Sequence, residues 1–220
     1  MYNAKILIVD DEINILKTIK IALAQSDYLI DDAYDGQTAC DKIAANKYDC
    51  ILLDMRLPDI DGLEILRRHS PENVILITAH GTIENAVEAM KLGCVDFIRK
   101  PFEPEVIREA IHSVLVRKQV AMESSLEFDS YIQAAKLEVS QHQYRKAKDL
   151  IMKALELKPN SAEAFNFLGV MHEILGDVSK ALTAYRTAVT LDSEYMPAKD
   201  NLKRVIGLDT ESGIIIGTEL

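Results

Sequence analysis

Nowhere in its 220 residues does the sequence hold the ~18–20 consecutive apolar residues that a membrane-spanning helix needs. A basic segment followed by an apolar one is also missing from the beginning, because Asp10, Asp11 and Glu12 arrive first. No secretory leader is therefore expected, and the expected location is cytoplasmic. Cysteine is scarce. Cys40, Cys50 and Cys94 are odd in number and share no metal-ligand spacing, so three reduced, packed thiols are expected and a disulfide framework is not. A basic excess is lacking too: 25 Lys and Arg face 35 Asp and Glu, for a net charge of −10. Residues 1–122 hold 14 basic and 20 acidic side chains, and residues 128–206 hold 11 and 10. Neither segment offers a nucleic-acid footprint, and the phosphate backbone would repel such a chain. With 48% apolar and 27% charged residues, the composition is that of an ordinary globular protein. The length allows one large or two modest domains.

The stretch from Lys47 to Gly62 organises what is there. Cys50 to Leu53 is apolar without alternation, as in a strand buried on both faces of a parallel sheet. It ends on Asp54, and Pro58 and Gly62 punctuate the loop that follows. Lys5 to Val9 is a second buried strand and runs into Asp10, Asp11 and Glu12. Helices are expected over about 13–25, 35–45, 61–69 and 82–92, with further strands near 28–32, 74–77 and 95–98 and a last helix from Pro104. Five alternating strand–helix units predict a doubly wound α/β domain with a five-stranded parallel sheet. Asp10, Asp11, Asp54, Thr78 and Lys100 then all fall at carboxyl ends of strands, where open α/β sheets place their chemistry. Clustered carboxylates repel unless a cation neutralises them, and a hard divalent ion suits oxygen ligands. A carboxylate can also serve as a nucleophile and form an aspartyl phosphate. A hydroxyl and an ammonium would then stabilise the phosphoryl group.

These motifs taken together resemble the receiver domain of two-component response regulators. They are Ile6-Leu7-Ile8-Val9-Asp10-Asp11-Glu12, Asp54 with Pro58, Asp61 and Gly62, Ile77-Thr78-Ala79, and Lys100-Pro101-Phe102. The stretch from Thr78 to Thr82 and from Glu88 to Gly93 looks most like receivers attached to sigma-54-dependent activators, although the residues after 122 do not resemble an activator domain. The resemblance implies a flavodoxin-like fold over residues 1–122, with Asp54 as phosphoacceptor from a histidine kinase or phosphotransfer protein. It implies Mg²⁺, with Mn²⁺ as a substitute, on Asp11 directly, on Asp10 mainly through water, on Asp54, and on the Arg56 backbone carbonyl. Thr78 would bind the phosphoryl group, Lys100 would pair with it, and the Lys100–Pro101 bond would be cis. Phe97 stands where the family's switch aromatic is often Tyr. Arg56 and His80 occupy variable positions flanking the site and are expected to tune the acyl-phosphate lifetime.

The helix from Pro104 carries Ile107, Ala110, Ile111, Val114 and Leu115 on one face, and residues 123–127 are expected as a helical linker. Without a clean heptad, pairing with a second copy is a weaker reading. Beyond it, similarity recurs at a period of 34. Tyr131 returns as Phe165, Ala135 as Gly169, Ala147 as Ala181, Ile151 as Tyr185 and Ala154 as Ala188. Small residues let paired helices approach, and aromatic ones fill the gap to the next helix. The pattern resembles the tetratricopeptide repeat, an all-α helical array. Repeats are expected at 128–161 and 162–195, with a capping helix at 197–206, forming a 128–206 domain. The resemblance implies a protein-binding groove, with an inner face from Ile132, Lys136, Val139, Asn166, Val170 and Glu173. Residues 207–220 are expected as a loose tail, within which Ile214-Ile215-Ile216 is apolar enough to suit a groove or a sheet edge but has no assigned role.

The leading expectation is a phosphorelay signalling protein whose output is protein binding, with no membrane or nucleic-acid partner and no external-substrate enzyme activity. The alternative is a repeat scaffold whose receiver is unphosphorylated or serves only dimerisation. A haloacid-dehalogenase-type phosphatase would need an acid two residues after Asp54, where Arg56 stands.

Overall fold

A computed structural model describes residues 3–79, 81–207 and 213–217, the side chain of Ile83 excepted. The chain divides into two compact units, residues 1–119 and 120–220.

In the first unit, five parallel strands stand in the order β2-β1-β3-β4-β5. They are β1 (Lys5–Val9), β2 (Leu29–Ala33), β3 (Cys50–Asp54), β4 (Val74–Thr78) and β5 (Cys94–Arg99). Strands β3 and β4 are buried at every residue, as a continuous apolar run requires between two helical layers. The edge strand β2 reads Leu-Ile-Asp-Asp-Ala and is mostly half-buried. Successive strand residues point to opposite faces. Leu7, Val9, Ile51, Leu53 and Leu76 pack with Ala39, Leu63, Leu66 and Ala89 from α2 (Gly36–Ala45), α3 (Gly62–His69) and α4 (Ile83–Lys91). Ile6, Ile8, Leu52, Ile75 and Ile77 pack with Leu16 and Ile19 of α1 (Ile13–Leu23) and with Ile107, Ile111 and Val114 of α5 (Pro104–Ser140). The expected doubly wound sheet is thus observed. Cys40, Cys50 and Cys94 are free and buried in this unit.

Local chemistry fixes the loop that follows β3. Asp61 caps α3 by accepting the Leu63 N–H at 2.9 Å. Asp59 accepts N–H groups from Gly36 and Gln37 at 2.7 and 2.9 Å, tying the loop to the start of α2. Gly62 lies against the strand end, where a Cβ would stand 2.5 Å from the Asp54 carbonyl oxygen, so only glycine fits.

Helix α5 runs from Pro104 to Ser140 without a break, so residues 123–127 are part of it. In the second unit its later residues Phe128, Ile132 and Ala135 pack with α6 (Tyr144–Leu157), α7 (Ala162–Ile174) and α8 (Val178–Leu191), and α9 (Met196–Val205) follows. Ala135, Ala147, Ile151, Ala154, Ala181, Tyr185 and Ala188 are all fully buried, as the 34-residue period requires. A Cβ on Gly169 would lie 2.5 Å from the Tyr185 ring. The turns repeat as well: His142 and Gly176, also 34 apart, both adopt positive φ, at 59° and 86°.

Candidate functional site

The carboxyl edge of the sheet gathers the site. Asp54 ends β3 and Thr78 ends β4, while Asp10 and Lys100 directly follow β1 and β5. The Lys100 Nζ lies 2.6 Å from Asp54 Oδ2, 2.7 Å from Asp10 Oδ2 and 3.2 Å from Glu12 Oε1. The Asp10 and Thr78 side chains are fully buried, and Asp54 and Lys100 are nearly so. Asp10 Oδ1 accepts the Glu12 N–H at 2.9 Å, and Asp54 Oδ1 accepts the Arg56 N–H at 3.1 Å. The Lys100 N–H donates to the Thr78 carbonyl at 2.8 Å, and the Lys100–Pro101 bond is cis.

Burial raises the Asp10 carboxyl to about 6, against the opposing effect of Lys100. Lys100 is lowered by its own burial, but its hydrogen bonds and charge interactions with Asp10 and Asp54 outweigh this and hold it above an ordinary lysine. The pocket is therefore a buried ammonium shared between two carboxylates.

Carboxylate oxygens of Asp10, Glu12 and Asp54 lie within 4.8 Å of one another, close enough to share a cation. Asp10 Oδ2 is fully buried and pairs with Lys100 Nζ at 2.7 Å. A cluster of three carboxylates offering only oxygen ligands fits a hard divalent ion. Asp11, expected as the direct ligand, is exposed, as is Glu12, whose carboxylate is the third of this cluster. Glu12 is legible in the sequence only as the third of three acids. Arg56 is exposed beside the pocket, and His80 lies outside the described residues. The half-buried Phe97 ring borders Gly81: a Cβ there would run into the Phe97 ring and lie 3.0 Å from the Thr78 methyl.

The second unit holds a different polar feature. Asn166 of α7 and Asn201 of α9 are both fully buried, and Asn201 Nδ2 donates to Asn166 Oδ1 at 2.9 Å. Glu173, expected on the inner face, is instead engaged: it accepts two bonds from Arg204, at 2.6 and 2.7 Å, and one from the Tyr185 hydroxyl at 2.8 Å. These bonds, the Arg204 pair foremost, hold its carboxyl below the usual range against its burial. Val170 and Ile132 are buried in the core.

A parallel 2-1-3-4-5 sheet with an acid–lysine pocket at its carboxyl edge defines a receiver fold. Comparison with known proteins agrees. Residues 6–112 match the response regulator receiver domain family, and residues 128–161 and 162–195 each match the tetratricopeptide repeat. The chain thus carries a response regulator receiver domain followed by tetratricopeptide repeats. It is 41% identical over 116 residues to the response regulator ArlR of Staphylococcus haemolyticus, covering 51% of this chain and 53% of that protein. It is 39% identical over 118 residues to the transcriptional regulatory protein SrrA of Staphylococcus aureus, covering 52% and 49%. A CheY-like receiver domain structure from Methanospirillum hungatei matches with a TM-score of 0.50 and 29% identity, over 54% of this chain and 98% of that one. The chain spans about half the length of the curated relatives it matches. No helix among the described residues is long and apolar enough to cross a membrane.

Proposed function

We propose that the protein is a phosphorelay response regulator in which a histidine kinase or phosphotransfer protein phosphorylates Asp54 and the repeats carry the output to a protein partner. The observation that supports this most is the buried Lys100 ammonium 2.6 Å from Asp54 Oδ2, facing further carboxylates across the pocket. An Asp54 oxygen attacks the phosphorus of a phosphohistidine, the P–N bond breaks, and the imidazole keeps the electron pair. Lys100 and the Thr78 hydroxyl bind the phosphoryl oxygens, and charge stabilisation by positioned groups is most of what such a transfer needs. Asp10, Asp54, the Arg56 carbonyl and Asp11 or Glu12 would hold a Mg²⁺ ion, which would supply counter-charge to the phosphoryl group. Magnesium titrations of Asp11→Asn and Glu12→Gln separate the last two.

Phe97 follows Thr78 inward as the switch aromatic, and Arg56 and His80 set the acyl-phosphate lifetime. Measured dephosphorylation rates of Arg56→Ala and His80→Ala check the latter; unchanged rates in both remove the idea. The Thr78–Thr82 and Glu88–Gly93 stretches support a receiver of the kind attached to sigma-54-dependent activators. The whole reading is tested by treating the protein with acetyl phosphate and Mg²⁺ and weighing it intact. One phosphoryl adduct on the wild type and none on Asp54→Asn is expected. No adduct, together with no beryllofluoride binding, would overturn it.

A further inference from the structure

Residues 213–217 lie on the repeats, and what holds them there is backbone recognition. Asn201 meets the Ile215 peptide at both ends: the Ile215 N–H donates to Asn201 Oδ1 at 2.9 Å, and Asn201 Nδ2 donates to the Ile215 carbonyl at 2.6 Å. Asn166 Nδ2 donates to the Ile215 and Ile216 carbonyls, each at 3.1 Å. Two fully buried carboxamides from two different helices thus satisfy one short stretch of chain. An interior asparagine without a partner is costly, so the pair needs a ligand of this kind. The side chains divide sharply. Ile214 is 44% exposed and contributes little, whereas Ile216 packs against the core that includes Phe167 and Val170. At Gly217, with φ of 133°, a Cβ would lie 2.8 Å from the Tyr195 hydroxyl, so only glycine fits comfortably.

We propose that the site formed by Asn166, Asn201 and Tyr195 is the ligand-binding site of the repeats, and that the chain's own Ile215-Ile216-Gly217 occupies it in place of a partner. The partner it fits is an extended protein segment with two aliphatic residues followed by glycine. Asn166 and Asn201 read its peptide groups, the apolar core takes the second aliphatic side chain, and Tyr195 admits only glycine next. Tethering gives the tail an effective concentration on the order of millimolar. A partner segment that binds at micromolar strength is therefore held off until the tail lets go. The inference rests on the repeats being a protein-binding module, and it is independent of phosphorylation at Asp54.

The test uses full-length protein and a synthetic fluorescent peptide with the sequence of residues 211–219. The wild type is compared with Ile215→Pro/Ile216→Asp, which removes the N–H donor and the apolar anchor from the tail. The double variant is expected to bind the peptide at least tenfold more tightly than the wild type, and adding Asn201→Ala is expected to abolish that gain. Equal binding by the wild type and the tail variant, or none by either, would overturn the proposal. Hydrogen exchange on the unmutated protein reads the same contact without relying on any variant. The Ile215 amide is expected to be protected, and exchange at the rate of a free peptide would overturn the docking itself. Light scattering separates one further outcome: a dimer that vanishes in the tail variant would assign the occupant to a second copy and overturn occupation by the chain's own tail. Because no step involves Asp54, absence of both the acetyl-phosphate adduct and beryllofluoride binding would sink the relay reading and leave this result standing.

Discussion

Lys100 neutralises two buried carboxylates at once, so its removal leaves both without a counter-charge. Breaking a buried pair from one side typically costs several kcal/mol. Lys100→Met is expected to destabilise the metal-free protein by roughly 3 kcal/mol, read by urea unfolding of the first unit. Added Mg²⁺ should restore part of the loss, since a cation then stands among the same oxygens. Equal losses with and without Mg²⁺ would argue that no ion binds there. Glu173 gives a residue-scale prediction of opposite origin. Its Arg204 pair lowers its folded pKa, so its contribution to stability is complete above the unfolded value near 4.5 and is lost as the pH falls through the folded one. Protection factors for hydrogen exchange in α7 and α8, corrected for the intrinsic rate at each pH, should therefore fall below about pH 4.5 in the wild type, and this pH dependence should flatten in Glu173→Gln.

Among the elements, α7 packs tightly against α8 at Gly169. Gly169→Ala would press a Cβ onto the Tyr185 ring at 2.5 Å. Overpacking of this kind costs roughly 1–3 kcal/mol, and thermal unfolding would show it. A neutral change would mean that Tyr185 can retreat despite its bond to Glu173. The turn at His142 predicts the reverse. A residue with a Cβ is held there at φ of 59°, where the matching turn uses Gly176. His142→Gly is expected to stabilise the protein by ~1 kcal/mol, unless the contact of its ring with the Tyr144 hydroxyl at 2.9 Å contributes as much.

These elements also show how far sequence reaches. Strands β1, β3 and β4 are legible because burial on both faces leaves an unbroken apolar run. The repeats are legible because each 34-residue step must refill the same small and aromatic positions. Of the site, Asp54, Asp10, Thr78 and Lys100 follow from strand ends alone. The helical linker at 123–127 is legible too, but not its fusion with the helices on either side into one α5, because residues 116–127 lack a sustained apolar face. The Asn166–Asn201 pair is likewise invisible in advance: its two members sit 35 residues apart in different helices, and only the folded array brings them together around the tail.

For the whole molecule, the question is whether the state of Asp54 reaches the tail site. Moving an equilibrium from 1:99 to 99:1 takes about 5.5 kcal/mol of differential stabilisation, while a tenfold change in affinity takes ~1.4 kcal/mol. Beryllofluoride, a mimic of the phosphoryl group, is expected to change the affinity of wild-type protein for the 211–219 peptide by tenfold or more. Identical affinities with and without it would mean that the receiver and the repeats act independently.

The placement of sulfur has a practical consequence for following that coupling. All three cysteines of the chain precede residue 95, and all are buried between sheet and helices, with the Cys50 thiol pushed up to about 12 by its burial. A thiol in that setting reacts with an alkylating reagent only when the first unit opens. The repeats contain no thiol at all. Pulsed alkylation is therefore a clock wired to one half of the molecule. Any change in its rate on adding peptide registers, without an engineered label, what the receiver feels when the repeats bind.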